Sequence, residues 1–273
     1  MWFYERKVGT VLAEFMVIMK HTLKSIMMGG GLLAFTAVPA SAEVEVEITA
    51  GYHSIYEWRG QDFGEDMGDA GAELSTELGN GITLTAGAWY QDNSGNSSGP
   101  GFNELDLYFE LSKSFGKIDV AIGYTNYLFP DSPSAAGLDT HEVYLGLSTE
   151  LENGIGLSLT YYHDTDAIDA GYLEFEVTKS IEIPNNSNVS IDLSAGAAWS
   201  FGFSPNVNGN NRGAVEGFNH FFASVAVPVV ITENITLTPY LKYVGADSNF
   251  ANAKGATVSD DLFYGGVSLS YSF

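Results

Sequence analysis

The strongest constraint on the fold is an alternation of apolar and polar residues that repeats along the chain from Glu43 onward. In the first run, from Val44 to Tyr52, every second side chain is apolar. Runs of about ten residues with a period of two indicate strands that have one apolar face. Each run ends in a cluster of Gly, Asn, Asp, Ser or Pro, residues that favour turns. The sequence therefore predicts an all-β fold.

The turn clusters alternate between short and long, and this alternation organises the strands. Short clusters such as Asn80-Gly81 are typical of tight hairpins. The runs between the clusters predict twelve strands. The long clusters cover roughly residues 57–70, 91–101, 129–140, 164–170, 204–217 and 247–260.

The distribution of charge and aromatic residues separates two all-β architectures. A soluble β-sandwich packs its apolar faces against each other and carries charge on the outside. Here the polar face holds nearly all the charge, and the apolar face ends in aromatic residues such as Trp89-Tyr90 and Trp199. An apolar band with aromatic girdles is typical of an outer-membrane barrel, which must close because lipid cannot satisfy a free sheet edge. We therefore predict a transmembrane antiparallel up-and-down β-barrel of twelve strands, with short periplasmic turns and longer extracellular loops, in the outer membrane of a Gram-negative bacterium.

The first segment of the chain predicts export. Residues 19–42 combine Lys20 and Lys24, an apolar stretch and the small-residue sequence Ala40-Ser41-Ala42, the pattern of a signal peptide. The apolar stretch is shorter than the about 20 residues of a membrane-spanning helix. Residues 1–18 are interpreted as an upstream extension from a misassigned start, and residues 43–273 as the barrel.

Composition excludes several function classes. The 273 residues include 34 acidic and 11 basic side chains, a formal net charge of −23, which would repel nucleic acid. The chain has no cysteine, so it has neither a disulfide nor a thiol site. A hydrophobic fraction of 45% argues against disorder.

Four stretches resemble the TorF family of porins. The family's early Tyr-x-x-Arg-Gly sequence corresponds to Tyr56, Arg59 and Gly60, and the similarity spans most of residues 45–273. The resemblance implies an outer-membrane porin with no catalytic residues. The chain departs from the family in its acidic segment from Asp62 to Asp69. The matching stretches are GYHSIYEWRGQDFGE, NELDLYFELSKSFGKIDVAIGYTNYLFP, HEVYLGLSTEL and YGGVSLSYSF.

If the apolar face meets lipid, the alternation predicts which residues line the lumen. Many ionised carboxylates cannot lie in a dry core, so the lumen is expected to contain water and to favour cations. The predicted function is passive diffusion of small solutes, with cations preferred, and the predicted partners are outer-membrane lipid and those solutes. The predicted acidic residues are Glu45, Glu47, Glu73, Glu104, Asp106, Glu110, Asp119, Glu142, Glu174, Glu176 and Asp192, and the predicted basic residues of the lumen or its mouth are Arg59, Lys113, Lys179 and Lys242.

An alternative stays open: the carboxylates could be hydrogen-bonded inside a closed structural or adhesin-like barrel without transport. No enzyme motif, cofactor site or metal site is predicted, since the chain has neither a Gly-x-Ser-x-Gly nor a His-Glu-x-x-His sequence.

The last strand alternates aromatics up to Tyr271 and Phe273, which resembles the C-terminal signature of outer-membrane barrels. These two residues are expected to close the barrel and to present the last strand to the outer-membrane assembly machinery.

Overall fold

The described residues of the computed structural model, 43–96, 99–130, 139–203, 216–246 and 261–273, form a barrel of twelve antiparallel strands. The strands are β1 (Val44–Trp58), β2 (Gln61–Gly79), β3 (Ile82–Asp92), β4 (Asn103–Phe115), β5 (Ile118–Leu128), β6 (Thr140–Glu150), β7 (Ile155–Asp164), β8 (Gly171–Ile183), β9 (Asn186–Phe201), β10 (Glu216–Ala226 and Val229–Thr232), β11 (Ile235–Ala246) and β12 (Asp261–Ser272). A short pairing of Gly95–Asn96 with Gly99–Pro100 lies between β3 and β4. The predicted signal peptide and upstream extension lie outside the described residues.

Each strand pairs with its neighbours in sequence, and β12 pairs with β1 to close the barrel. At this seam Ile48 lies opposite Tyr271. The backbone ladder continues to Phe273, whose N–H donates to the carbonyl of Val46 at 3.0 Å and whose carbonyl accepts from the N–H of Val46 at 2.9 Å. Closure pairs both edges of the sheet that the described strands form, so neither edge is exposed to lipid. The predicted up-and-down barrel of twelve strands is confirmed.

β10 is interrupted at Val227 and Pro228. Proline has no N–H for the ladder, so a break there is expected. The N–H of Val227 instead donates to the carbonyl of Pro239 on β11 at 2.9 Å, and both segments of β10 remain paired with β9 and β11.

The prediction of a long loop over residues 57–70 is wrong. β1 continues to Trp58 and β2 begins at Gln61, so the connection is Arg59-Gly60, with φ of 52° and 83°. Two successive positive φ values are typical of a tight type I′ hairpin turn. All four acidic residues of this segment lie on β2: Glu65 and Asp66 are exposed, whereas Asp62 and Asp69 are partly buried.

The two faces of the barrel differ as the alternation predicts. Large apolar side chains such as Phe109, Ile122 and Leu145 point outward and are 47–60% exposed. Leaving such surface in water costs about 25 cal/mol per Å², so this band requires lipid. The polar face is the inner one, because side chains two strands apart meet on it: Tyr108 of β4 reaches Glu73 of β2. Among the described residues no helix is long and apolar enough to span a bilayer.

Candidate functional site in the barrel lumen

The turn between β1 and β2 lies inside the barrel. We call residues 56–61 the hairpin tip. The carbonyl of Arg59 accepts a hydrogen bond from the side-chain amide of Asn219 on β10, at 3.2 Å. A Cβ at Gly60 would lie 2.9 Å from the His220 ring, so the close approach to β10 requires glycine there. The hairpin tip therefore crosses the lumen from β1 and β2 to the opposite strands.

A buried ion pair holds the hairpin tip against β6. The guanidinium of Arg59 donates two hydrogen bonds to Glu142, at 2.6 and 2.9 Å, and the two side chains are 6% and 1% exposed. Tyr127 donates to the same carboxylate at 2.9 Å. This geometry matches the planar fork of arginine to both carboxylate oxygens, which a buried pair needs to offset its desolvation.

Aromatic rings surround the Arg59 guanidinium. Its central carbon lies 4.4–5.1 Å from the ring centroids of Trp58, Tyr162, Tyr172 and Phe203. A cation over an aromatic face is attracted by the ring quadrupole, more strongly where water is excluded. Arg59 therefore has both a carboxylate and aromatic partners.

A second ion pair fixes the other side of the hairpin tip. The ammonium of Lys242 on β11 donates to Glu57 at 2.7 Å and lies 4.9 Å from the Phe222 ring centroid. Tyr264 donates to the same oxygen of Glu57 at 2.9 Å, and the N–H of Gly60 donates to the other oxygen at 2.7 Å. The carboxylate of Glu57 is thus fully engaged.

The interior near the long loops, which we call the loop half, contains many buried side chains. Phe222, Val244, Leu262 and Tyr264 form a buried apolar cluster there. Elsewhere in this half the hydroxyl of Tyr56 donates to Glu104 at 2.7 Å, and both residues are buried. Together with the hairpin tip, these side chains occupy the loop half.

The interior near the short turns and the ends of β1 and β12, which we call the turn half, is different. Glu45, Glu47 and Asp119 are exposed there. The carboxylates accept hydrogen bonds mainly from hydroxyls: Tyr108 donates to Glu73 and Tyr144 to Glu110, both at 2.8 Å. Ser272 donates to Glu47 at 3.0 Å, Ser180 to Asp192 at 2.6 Å, and Ser114 contacts Asp119.

The predicted acidic residues therefore divide between the two halves. Glu104, Asp106, Glu142 and Glu174 lie in or beside the loop half, on the inner face with Tyr56, Tyr127 and Tyr172 as neighbours. The remaining members lie in the turn half: Glu45, Glu47, Glu73, Glu110, Asp119, Glu176 and Asp192.

The predicted basic residues do not all lie in the lumen. Arg59 and Lys242 do, and both are ion-paired. Lys113 and Lys179 instead lie at the rim of the short turns, in the outward register of strands β4 and β8. Their ammonium groups donate to backbone carbonyls of Asn80 and Asn153, because a long side chain on the apolar face reaches the polar rim.

One interior cluster was missed at the level of the sequence. His53 lies between Asp69, at 2.6 Å from its Nε2, and the Tyr240 hydroxyl, at 2.6 Å from its Nδ1. Ser54 points the other way and bonds to the backbone of Gly265. The alternation around His53 predicts an inward side chain, but the turn cluster over residues 57–70 predicts a loop at Asp69. Within the described ranges no cluster of three or more His, Cys, Asp or Glu is arranged to hold a metal.

A family model matches more than half of the chain. A family model described as "Bacterial protein of unknown function (Gcw_chp)" matches residues 37–212. No curated protein matches the sequence.

Solved structures of outer-membrane proteins resemble the fold. The COG4313 outer membrane channel from Pseudomonas putida F1 superimposes with a TM-score of 0.50 at 12% identity, covering 86% of this chain and 97% of that one. LpxR from Salmonella typhimurium gives 0.50 at 9% identity, covering 83% and 99%. The KdgM porin gives 0.47 at 10% identity, covering 84% and 99%. The chain thus has the β-barrel fold of these outer-membrane proteins.

Proposed function

Because the chain belongs to the Gcw_chp family of bacterial proteins, whose function is unknown, its role has to be inferred from its own barrel, and we propose that it is a cation-preferring channel for passive diffusion of small solutes. The resemblance of its strands to the TorF porins supports the same role. We propose transport rather than catalysis because the inner face offers fixed charge along its length.

The observation that carries the proposal is the set of carboxylates in the turn half. Within the described residues no lysine or arginine pairs with Glu45, Glu47 or Asp119, and all three are exposed. Ionised carboxylates without cations need water around them. A water-filled lumen lined by one sign of charge concentrates counter-ions and repels ions of the same sign.

The test is the reversal potential of the refolded protein in a planar bilayer under a KCl gradient. We expect a sign that reports K⁺ permeability above that of Cl⁻. The double substitution Glu73→Gln and Glu110→Gln should lower this preference, whereas Glu152→Gln, in the exposed turn between β6 and β7, should not. An anion-selective wild type would refute the proposed selectivity.

A second candidate function, a closed structural or surface-interaction barrel, is favoured by the hairpin tip. The ion pair between Arg59 and Glu142 is almost completely shielded from water, and the tip lies across the lumen. Single-channel recording separates the two candidates. If neither the wild type nor Arg59→Ala conducts, the closed barrel is supported and the channel is rejected.

We also propose that assembly machinery recognises β12 through its aromatic end. The rings of Tyr271 and Phe273 pack together with centroids 5.3 Å apart, and Phe273 is 60% exposed. Phe273→Ala should reduce the folded fraction in the outer membrane, measured by heat-modifiable migration in gels. Phe263→Ala, which removes an even more exposed outward ring of the same strand, is the control and should assemble normally.

A further inference from the structure

Two rows of inner-face residues wind around the barrel from the turn half to Arg59. Each row follows the register from one strand to the next, and it climbs toward the long loops because barrel strands are tilted and staggered. The first row is Glu47, Glu73, Gly87, Tyr108, Thr125 and Glu142. The second row is Glu45, Ser75, Thr85, Glu110, Gly123, Tyr144, Tyr162 and Tyr172.

The two rows contain the same three-strand unit. In the first, Glu73, Gly87 and Tyr108 lie side by side, and a Cβ at Gly87 would overlap the Tyr108 hydroxyl. In the second, Glu110 and Gly123 lie beside Tyr144 in the same order, and a Cβ at Gly123 would overlap the Tyr144 ring. Each tyrosine thus lies along the wall over a glycine.

Each unit therefore presents an aromatic face and a carboxylate next to each other. The Tyr108 hydroxyl donates to one oxygen of Glu73, and the Tyr144 hydroxyl donates to one oxygen of Glu110. The second oxygen of each carboxylate remains able to accept from another donor. Both tyrosines are only partly buried, so the units are open to the lumen.

The chain's own cationic side chains show what a carboxylate next to an aromatic ring binds in this lumen. Arg59 lies at the inner end of both rows, on the Glu142 carboxylate of the first and against the Tyr162 and Tyr172 rings of the second. Lys242 repeats the arrangement on the opposite side, with a carboxylate and an aromatic ring. A guanidinium and an ammonium are thus both accommodated by this chemistry in this lumen.

We propose that the two rows are a binding track for organic cations that carry a guanidinium or primary ammonium group, with Arg59 as a tethered cation at its inner end. The inference rests on the proposed channel function and names its solute class. Inorganic ions gain little from a phenol face, whereas an organic cation gains from the ring and the carboxylate together. A neutral sugar could pack against the tyrosine rings and donate hydrogen bonds to the carboxylate oxygens, but it has no positive charge to pair with the carboxylates.

Binding is measured by calorimetry on the refolded full chain in detergent, with agmatine as the probe and glucose as the neutral comparison. We expect agmatine to bind and glucose not to. The double substitution Glu73→Gln and Glu110→Gln should weaken agmatine binding by at least about tenfold, since hydrogen bonds to charged groups are the strong ones. Glu152→Gln should leave it unchanged, and heat-modifiable migration verifies that each variant is folded.

The aromatic half of the unit has its own test. Tyr108→Phe with Tyr144→Phe keeps both rings and should retain most of the affinity, whereas the corresponding Leu variant should lose severalfold more. Equal binding of glucose and agmatine, or an agmatine affinity insensitive to the glutamate substitutions, would overturn the track.

Arg59→Ala tests the inner end by chemical rescue. The substitution vacates a site made of Glu142 and aromatic rings, and propylguanidinium should raise the melting temperature of this variant more than that of the wild type. Neutral propylurea of similar shape should have no such effect, and equal rescue by both compounds would contradict a cation site.

These binding measurements do not depend on permeation. If the protein binds agmatine but conducts no ions, the binding track is supported and the channel function is refuted. If the protein is a cation-selective channel but binds agmatine no better than glucose, the channel function is supported and the binding track is refuted.

Discussion

The loop half and the turn half of the lumen are built from the same residue types but differ in what neutralises the carboxylates. In the loop half the chain supplies a cation to Glu142 and to Glu57, which are almost completely buried, while Glu104 is buried with the Tyr56 hydroxyl as a donor. In the turn half, among the residues that the structure describes, the side-chain donors to Glu73 and Glu110 are tyrosine hydroxyls. The two halves therefore differ in the partners of their carboxylates, and we propose that the carboxylates of the turn half are the ones that meet external cations.

The largest expected effect is the loss of the loop-half ion pair. Arg59→Ala leaves Glu142 buried with Tyr127 as its remaining donor, which should lower the free energy of unfolding by about 3–5 kcal/mol. Urea unfolding in micelles measures this. Lys117→Ala, which removes an exposed partner of Glu152, should change it by no more than about 0.5 kcal/mol.

A double variant sharpens this comparison. Arg59→Ala combined with Glu142→Gln no longer leaves a buried unpaired charge, so it should be less destabilised than the sum of the two single variants. Strict additivity would show that the two side chains do not stabilise each other.

The next effect concerns the close approach of the hairpin tip to β10. Gly60→Ala adds a methyl group against His220 at a positive φ, and we expect a loss of about 2–4 kcal/mol from overpacking and backbone strain together. Gly116→Ala is matched for positive φ, but its Cβ would meet nothing within 4 Å, so it should lose only the strain contribution. Equal losses in an unfolding titration would mean that the tip does not press against β10.

A smaller effect is expected on the other side of the hairpin tip. Lys242→Met keeps the length of the side chain but leaves Glu57 with the Tyr264 hydroxyl and the N–H of Gly60, a loss of about 2 kcal/mol. Lys113→Met, at the turn rim, should be nearly neutral because the contacts of its ammonium, with the carbonyl of Asn80 and the Phe115 ring, are not in the interior. Similar losses in both variants would contradict the distinction between interior and rim.

The sequence predicts the strands of the barrel wall better than it predicts the hairpin tip and the side-chain pairs inside the barrel. Alternation follows directly from a wall with lipid on one side, so strands such as β4 and the inward glutamates could be assigned residue by residue. The same parity places Lys113 with Leu111 on the outward face, a signal that was available. Lys179 likewise shares the parity of Val177.

The hairpin tip could not be predicted in this way. Near the hairpin tip the apolar residues of β1 and β2 no longer alternate regularly with polar ones, and the segment from Asp62 to Asp69 is acidic. The pair of Arg59 and Glu142 joins residues 83 positions apart in the sequence, and only the stagger of the closed barrel brings them together. Local patterns do not contain that information.

The smallest expected effect on stability comes from the turn half. Glu110→Gln keeps an oxygen that accepts from Tyr144, and the site is open to the lumen, so the free energy of unfolding should change by no more than about 0.5 kcal/mol. Glu142→Gln makes the same chemical change in the loop half, where it breaks a buried ion pair and should be strongly destabilising. Both are measured by urea unfolding in the same micelles. If the two substitutions lost equal stability, the carboxylates of the turn half would be as dry as those of the loop half, and the lumen would have no water-filled part for cations to enter.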